Sequence, residues 1–120
     1  MKSAEPDPAE AMRTRLQANL RAAMRARAAF EVAVLRALIS AIDNARAVPL
    51  SPQSSPPQLE VQRRWLSVDD VQAILERECR ARQHAAEEYA RLGRAAESEG
   101  ARRELAIVRR YIGEVTKLPV

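Results

Sequence analysis

At 120 residues and 13.4 kDa, the chain has the length of one domain, enough to bury a modest core without staples and too little for a second independent unit. Its single cysteine, Cys79, excludes an intramolecular disulfide and a thiolate zinc cage built from this chain alone. A formal charge of +4 and a pI near 10.0 give a positive field that steers phosphates toward the surface, although an arginine bias in so alanine-rich a chain also fits genomic base composition.

The opening MKSAEPDPAE places prolines and acids where a signal peptide needs a basic and then an apolar run. No stretch approaches the roughly 18 uninterrupted apolar residues of a membrane span, so a soluble, cytoplasmic protein is expected. Alanine, leucine, arginine and glutamate dominate and glycine is rare, which favours helix throughout. The first helix is predicted to start at Asp7 and Pro8, a cap residue followed by a proline tolerated at the first helical position. Leu16, Leu20, Ala23 and Met24 are its expected buried face, and Arg13, Arg21 and Arg25 its other face. The second helix, from about Ala29 to Asn44, carries Leu35, Leu38, Ile42 and Ala45 on one stripe, widened by Val34 and Ile39. As the broadest apolar face, it belongs at the centre.

From Ala47 to Gln58, Pro49, Pro52, Pro56 and Pro57 fall among serines, a mixture that removes amide donors and disfavours helix. A mobile linker over about 47–64 is expected. The clearest local signal follows. In Ser67-Val68-Asp69-Asp70 the Ser67 hydroxyl can accept from the Asp70 amide, acids in the first turn suit the helix dipole, and Leu66 and Val71 stand at the positions of a hydrophobic staple. The third helix therefore begins near Val68, buries Val71, Leu75, Cys79, Ala86 and Tyr89, and ends at Leu92-Gly93. Trp65 is expected to plug the bundle. A fourth helix from about Ala95 buries Leu105, Val108, Ile112 and Val115, and the tight Gly93-Arg94 link makes the last two helices an antiparallel hairpin. The fold class is all-α, a bundle of about four helices in one domain over 8–116, with tails at 1–7 and 117–120.

The order and spacing of several residues resemble the YqeY/GatB-tail family. They are Ala23-Met24, Leu35-Arg36, Ala41-Ile42, Asn44, the stretch Val71 to Arg82, Tyr89, Gly93-Arg94, Glu99, Glu104 and Tyr111-Ile112. The resemblance runs from about Leu16 to Ile112 and is confined to the family's first helical subdomain. It implies a helical module that contacts tRNA, as in the tail of the GatB subunit of tRNA-dependent amidotransferase, and a family label of carbon–nitrogen ligation with glutamine as amide donor. Arg36, Asn44, Arg82, Tyr89, Gly93, Glu104 and Tyr111 are the structural positions it implies. Departures are Ala28 in place of an acid, Ala85 in place of serine or threonine, and Tyr111-Ile112-Gly113 in place of Tyr-Leu-Pro. The second helical subdomain is expected to be absent after Val120.

No phosphate loop or serine-nucleophile motif accompanies that label, and the glycines are only Gly93, Gly100 and Gly113, so the chain is read as non-enzymatic, with no catalytic residues and no cofactor. Cys79 falls on an apolar stripe and reads as a packed small hydrophobe. His84 lies on the opposite side of its helix without a second histidine, and Glu76, Glu87, Glu88, Glu97 and Glu99 alternate with arginines as solvated pairs, so no metal site is expected. Arg36 and Arg82 sit on or beside apolar stripes and are expected to extend their stems over the core toward an acid such as Glu31 or Glu104.

Helical spacing puts Arg102 in line with Arg109, and Arg103 with Arg110, opposite Leu105, Val108 and Ile112. These four arginines are the candidate RNA contacts, because a planar guanidinium binds phosphate and stacks on bases. Arg77, Arg80, Arg91 and Arg94 would extend the surface. A solvated helix face is the competing reading. Two functions follow. In one, the module binds tRNA, alone or beside amidotransferase subunits; in the other, it is a protein-interaction or homodimerisation module with no nucleic-acid role.

Overall fold

The computed structural model describes residues 7–47 and 64–118. Those residues form four helices and no strand: α1 (Pro8–Arg25), α2 (Ala29–Arg46), α3 (Val68–Arg91) and α4 (Ala95–Val115). The expected linker falls almost wholly outside the described residues, as do 1–6 and 119–120. None of the helices is long and apolar enough to cross a membrane.

Local chemistry sets the helix starts. Asp7 caps α1, its Oδ1 accepting from the Ala9 amide at 3.0 Å, and Pro8 takes the first helical position. At α3 the capping box is complete: Asp70 N donates to Ser67 Oγ and Ser67 N donates to Asp70 Oδ2, each at 3.0 Å. That second bond, with the serine hydroxyl, holds the Asp70 carboxyl below its ordinary value of 3.8. The charged carboxylate therefore stabilises the folded state above that value, and the contribution is lost as pH falls through the lower folded value. Asp70→Asn is expected to flatten the fall of melting temperature on acidification below about pH 4. An unchanged slope in melts between pH 5 and pH 2 would show that the box does not sense acid.

Both hairpin turns are built alike. After α3, Arg94 N donates to Tyr89 O at 2.8 Å and Gly93 N to Ala90 O at 3.0 Å, with Gly93 at φ 75°. This pairing of two amides with the last-turn carbonyls needs a left-handed residue. After α1, Ala28 N donates to Ala23 O at 3.0 Å and Arg27 N to Met24 O at 3.1 Å, with Arg27 at φ 57°. An L side chain is strained there by about 1–2 kcal/mol, while glycine loses more entropy on ordering, about 0.5–1 kcal/mol. Arg27→Gly is thus expected to raise stability by about 0.5 kcal/mol, or a few degrees in melting temperature. A drop in melting temperature would mean that the arginine side chain supports the fold.

The core lies where α2 meets the other three helices. Met12, Leu16, Val34, Leu35, Leu38, Ile42, Leu66, Val71, Leu75, Val108 and Val115 are almost wholly buried. The α1–α2 hairpin is tied by Asp43, whose two oxygens accept from Arg13 Nε and Nη2 at 2.7 and 3.0 Å. That hydrogen-bonded carboxylate also raises the Arg13 pKa. Arg46, 6% exposed, reaches the α1 start and pairs with Glu10 at 2.8 Å and Asp7 at 3.4 Å. The hairpins join through Arg15–Glu114 at 2.7 Å and Asn19 Nδ2 donating to Tyr111 Oη at 2.7 Å. Ser98 seals α4 on α3 by donating to Ala86 O at 2.8 Å.

Several side chains depart from the sequence expectation. Met24 is 48% exposed, because it lies about 80° round the helix from Leu16 in the final turn, while Ala9 and Met12 take the buried positions. Trp65 is 60% exposed rather than a plug. It precedes Leu66 in a non-helical segment, where neighbouring side chains point to opposite sides, and the staple turns Leu66 inward. Ile112 is half-buried and Tyr111 takes the inner place beside it. The second helix continues two residues past Asn44 because Arg46 finds its acids there. Beyond the Ser98–Ala86 contact, every residue from Glu87 to Glu97 except Tyr89 is exposed, so the tip of the second hairpin stands clear of the core.

Candidate nucleic-acid interface

The outward face of α4 follows from its buried one. With Leu105, Val108, Tyr111 and Val115 inside, Arg102, Arg103, Arg109 and Arg110 all emerge exposed. The two lines of arginines meet different neighbours. Arg109 Nη2 reaches Gln83 Oε1 on α3 at 3.4 Å, and Arg102 on the same line finds no acceptor among the described residues. On the other line, Arg110 Nη2 meets Glu31 Oε2 at 2.9 Å, and the Arg103 guanidinium carbon stands 4.0 Å from the centre of the Phe30 ring. The stripe is therefore two flanks, one against the middle of α3 and one against the start of α2.

The remaining candidates divide likewise. Arg80 lies three residues before Gln83, on the side where Arg109 arrives, and neither it nor Arg77 has a partner among the described residues. At the hairpin tip, Arg91 pairs with Glu88, and Arg94 with Glu97 at 3.2 Å while also facing Tyr89 at 5.8 Å. These exposed pairs screen the charge of the tip without adding much stability. Exposed Leu92, 65% accessible, lies between them.

The structural positions behave less uniformly. Arg82 is mostly buried and bonds Glu104 at 3.1 Å, Glu78 Oε1 at 2.8 Å and the Glu78 carbonyl at 3.0 Å. Arg36 finds no acid among the described residues; it is exposed and lies 4.0 Å from Met24 Sδ, because its side of α2 faces the end of α1 rather than α4. Asn44 and His84 are exposed.

Residues 13–117 match the model of the YqeY-like protein family. The chain belongs to that family. No curated protein and no solved structure matches it. The YqeY-like chain is thus a small helical module, and the described part holds no group of three His, Cys, Asp or Glu side chains placed to share a metal ion. Cys79 is partly buried and packs against the core. Burial pushes its thiol above the ordinary value of 9.0, more than Arg109 and Arg82 pull it down, so little thiolate forms at neutral pH. Alkylation by iodoacetamide at pH 7.5 is expected to be slower in the folded chain than in urea, because burial both raises the thiol pKa and limits access to the sulfur. A faster rate in the folded chain than in urea would mark the thiol as activated.

The sequence pattern also conceals some positions that the structure brings forward. Arg27, Phe30 and Arg46 escape sequence reasoning. Arg46 stands four residues after Ile42 and eight after Leu38, so its helical position alone signals burial. For Phe30 the signal is weak: it stands a turn before the α2 stripe and packs on α4, close to Gly100.

Proposed function

We propose that this YqeY-like module binds folded tRNA by electrostatic capture and shape recognition, and serves tRNA-dependent amidation as a binding element without chemistry of its own. The observation that carries this reading is the pair of exposed arginine flanks on α4, in which Arg102, Arg103 and Arg109 have no acidic partner within hydrogen-bond reach among the described residues. An unneutralised guanidinium releases counterions when it meets a phosphate, and Arg110, tied to Glu31, contributes less. A rigid helical ridge reads a folded backbone through the placement of phosphates rather than base edges.

Amidation itself belongs to partner subunits in this reading. The test is binding of labelled tRNA beside a DNA duplex of similar charge, at low and physiological salt. Preference for tRNA with steep salt dependence supports the module; equal weak binding to both overturns it. The exposed apolar residues Met24, Trp65 and Leu92 sit at the end of α1, before α3 and at the α3–α4 turn. Scattered singly, they do not favour a protein-docking patch.

A further inference from the structure

We propose that the corner where the α1–α2 turn meets α4 is a phosphate-binding subsite, formed by Arg27, Arg103 and the first turn of α2. It deepens the RNA reading above by naming which of the arginines seats a backbone phosphate. A concavity of about 590 Å³ opens there, lined by Arg27, Phe30, Glu31, Arg103, Ile107 and Arg110. Three guanidinium groups face one carboxylate, Glu31, which Arg110 already holds at 2.9 Å. The surplus is two positive charges.

Geometry makes this surplus usable. Arg103 lies over Phe30 at 4.0 Å, and a guanidinium stacked on a ring keeps its edge donors available for an anion. No acceptor for them is found among the described residues. The ring fixes the arginine in place before any anion arrives, so less freedom is lost on binding. Arg27 contributes the second fork from a strained position, φ 57°, where the equivalent turn of the other hairpin uses Gly93. A side chain kept where glycine fits better points to a use for its charge. The start of α2 adds donors, since Ala28 offers no side-chain cap, just as Arg94 offers none at α4. The amides at the start of α2 therefore lack a capping side chain and border the same concavity. Tetrahedral phosphate, with oxygens for two forks and an amide, suits this donor set.

The test uses the full chain and two probes, inorganic phosphate and labelled tRNA. Amide spectra are recorded with sodium phosphate and with sodium chloride at matched ionic strength. Saturable shifts of Ala29, Phe30 and Glu31 with phosphate alone, lost in Arg27→Gly and in Arg103→Gln, are the expected result. Because glycine suits φ 57°, Arg27→Gly removes the charge while keeping the turn, and its melting temperature confirms the fold. In tRNA binding the same variant is expected to lower affinity about five- to tenfold and to make the salt slope shallower by about one. Phosphate shifts that are absent, spread over every arginine, or unchanged in Arg27→Gly overturn the subsite. If phosphate binds at the corner but Arg27→Gly leaves tRNA affinity unchanged, the subsite stands as one for a free phosphate ester. A native chain that binds phosphate here and no tRNA sinks the RNA reading alone.

Discussion

Changing Arg102, Arg103, Arg109 and Arg110 together to glutamate is expected to weaken tRNA binding more than about a hundredfold at physiological salt. The substitutions move the formal charge from +4 to −4, since each replaces a positive group by a negative one. Repulsion then acts at each phosphate the two flanks of α4 would meet. The slope of log affinity against log salt should become shallower by about 3 to 4, close to 0.9 per lost phosphate contact. One position carries a structural risk: glutamate at 110 would face Glu31, the present partner of Arg110 at 2.9 Å. A second variant with glutamine at all four positions removes that repulsion and should still lose binding, though by less. Circular dichroism of both variants separates lost contact from lost fold. Binding that survives both variants at native affinity would place any RNA contact elsewhere.

Leu38→Ala is the substitution expected to harm the fold most directly. Leu38 is fully buried in the middle of α2, the helix that packs against the other three. Removing its branched end takes away transfer energy and leaves a cavity that neighbouring helices cannot close, about 3 kcal/mol. For a domain of ordinary marginal stability, that is a large share of the whole. With a urea slope of about 1.5 kcal/mol per molar, the unfolding midpoint falls by about 2 M. Met24→Ala is the informative comparison, because the same kind of apolar truncation at a half-exposed residue should shift stability by no more than about 0.5 kcal/mol. Similar losses in the two would mean that the end of α1 is as well packed as the centre of α2.

Local signals in the chain were legible wherever one residue type does the work alone. The capping serine before α3, the acid and proline before α1, and the glycine after α3 each perform a backbone task that few residues can perform. The turn after α1 carries no such mark, since Arg27 occupies the left-handed position without being a glycine. Periodicity found the buried stripes because it is a property of one helix. It could not show how neighbouring helices are rotated, and that rotation decides the candidate interface. Arg109 and Arg110 are adjacent in sequence, yet one reaches Gln83 on α3 and the other Glu31 at the start of α2. For the same reason Arg82 reached Glu104 as expected, whereas Arg36, beside a comparable stripe, met only Met24 among the described residues.

One backbone contact bears on how relatives of this chain can differ. Arg64 N donates to Arg46 O at 2.7 Å, so the strands of chain entering and leaving residues 48–63 are held side by side. Once two ends are joined, doubling the length of a flexible chain between them costs only about 0.6 kcal/mol in closure entropy. Insertions between the joined ends at Arg46 and Arg64 are therefore expected to cost the four helices little. On that expectation, the sequence distance between α2 and α3 can change without any adjustment of the core.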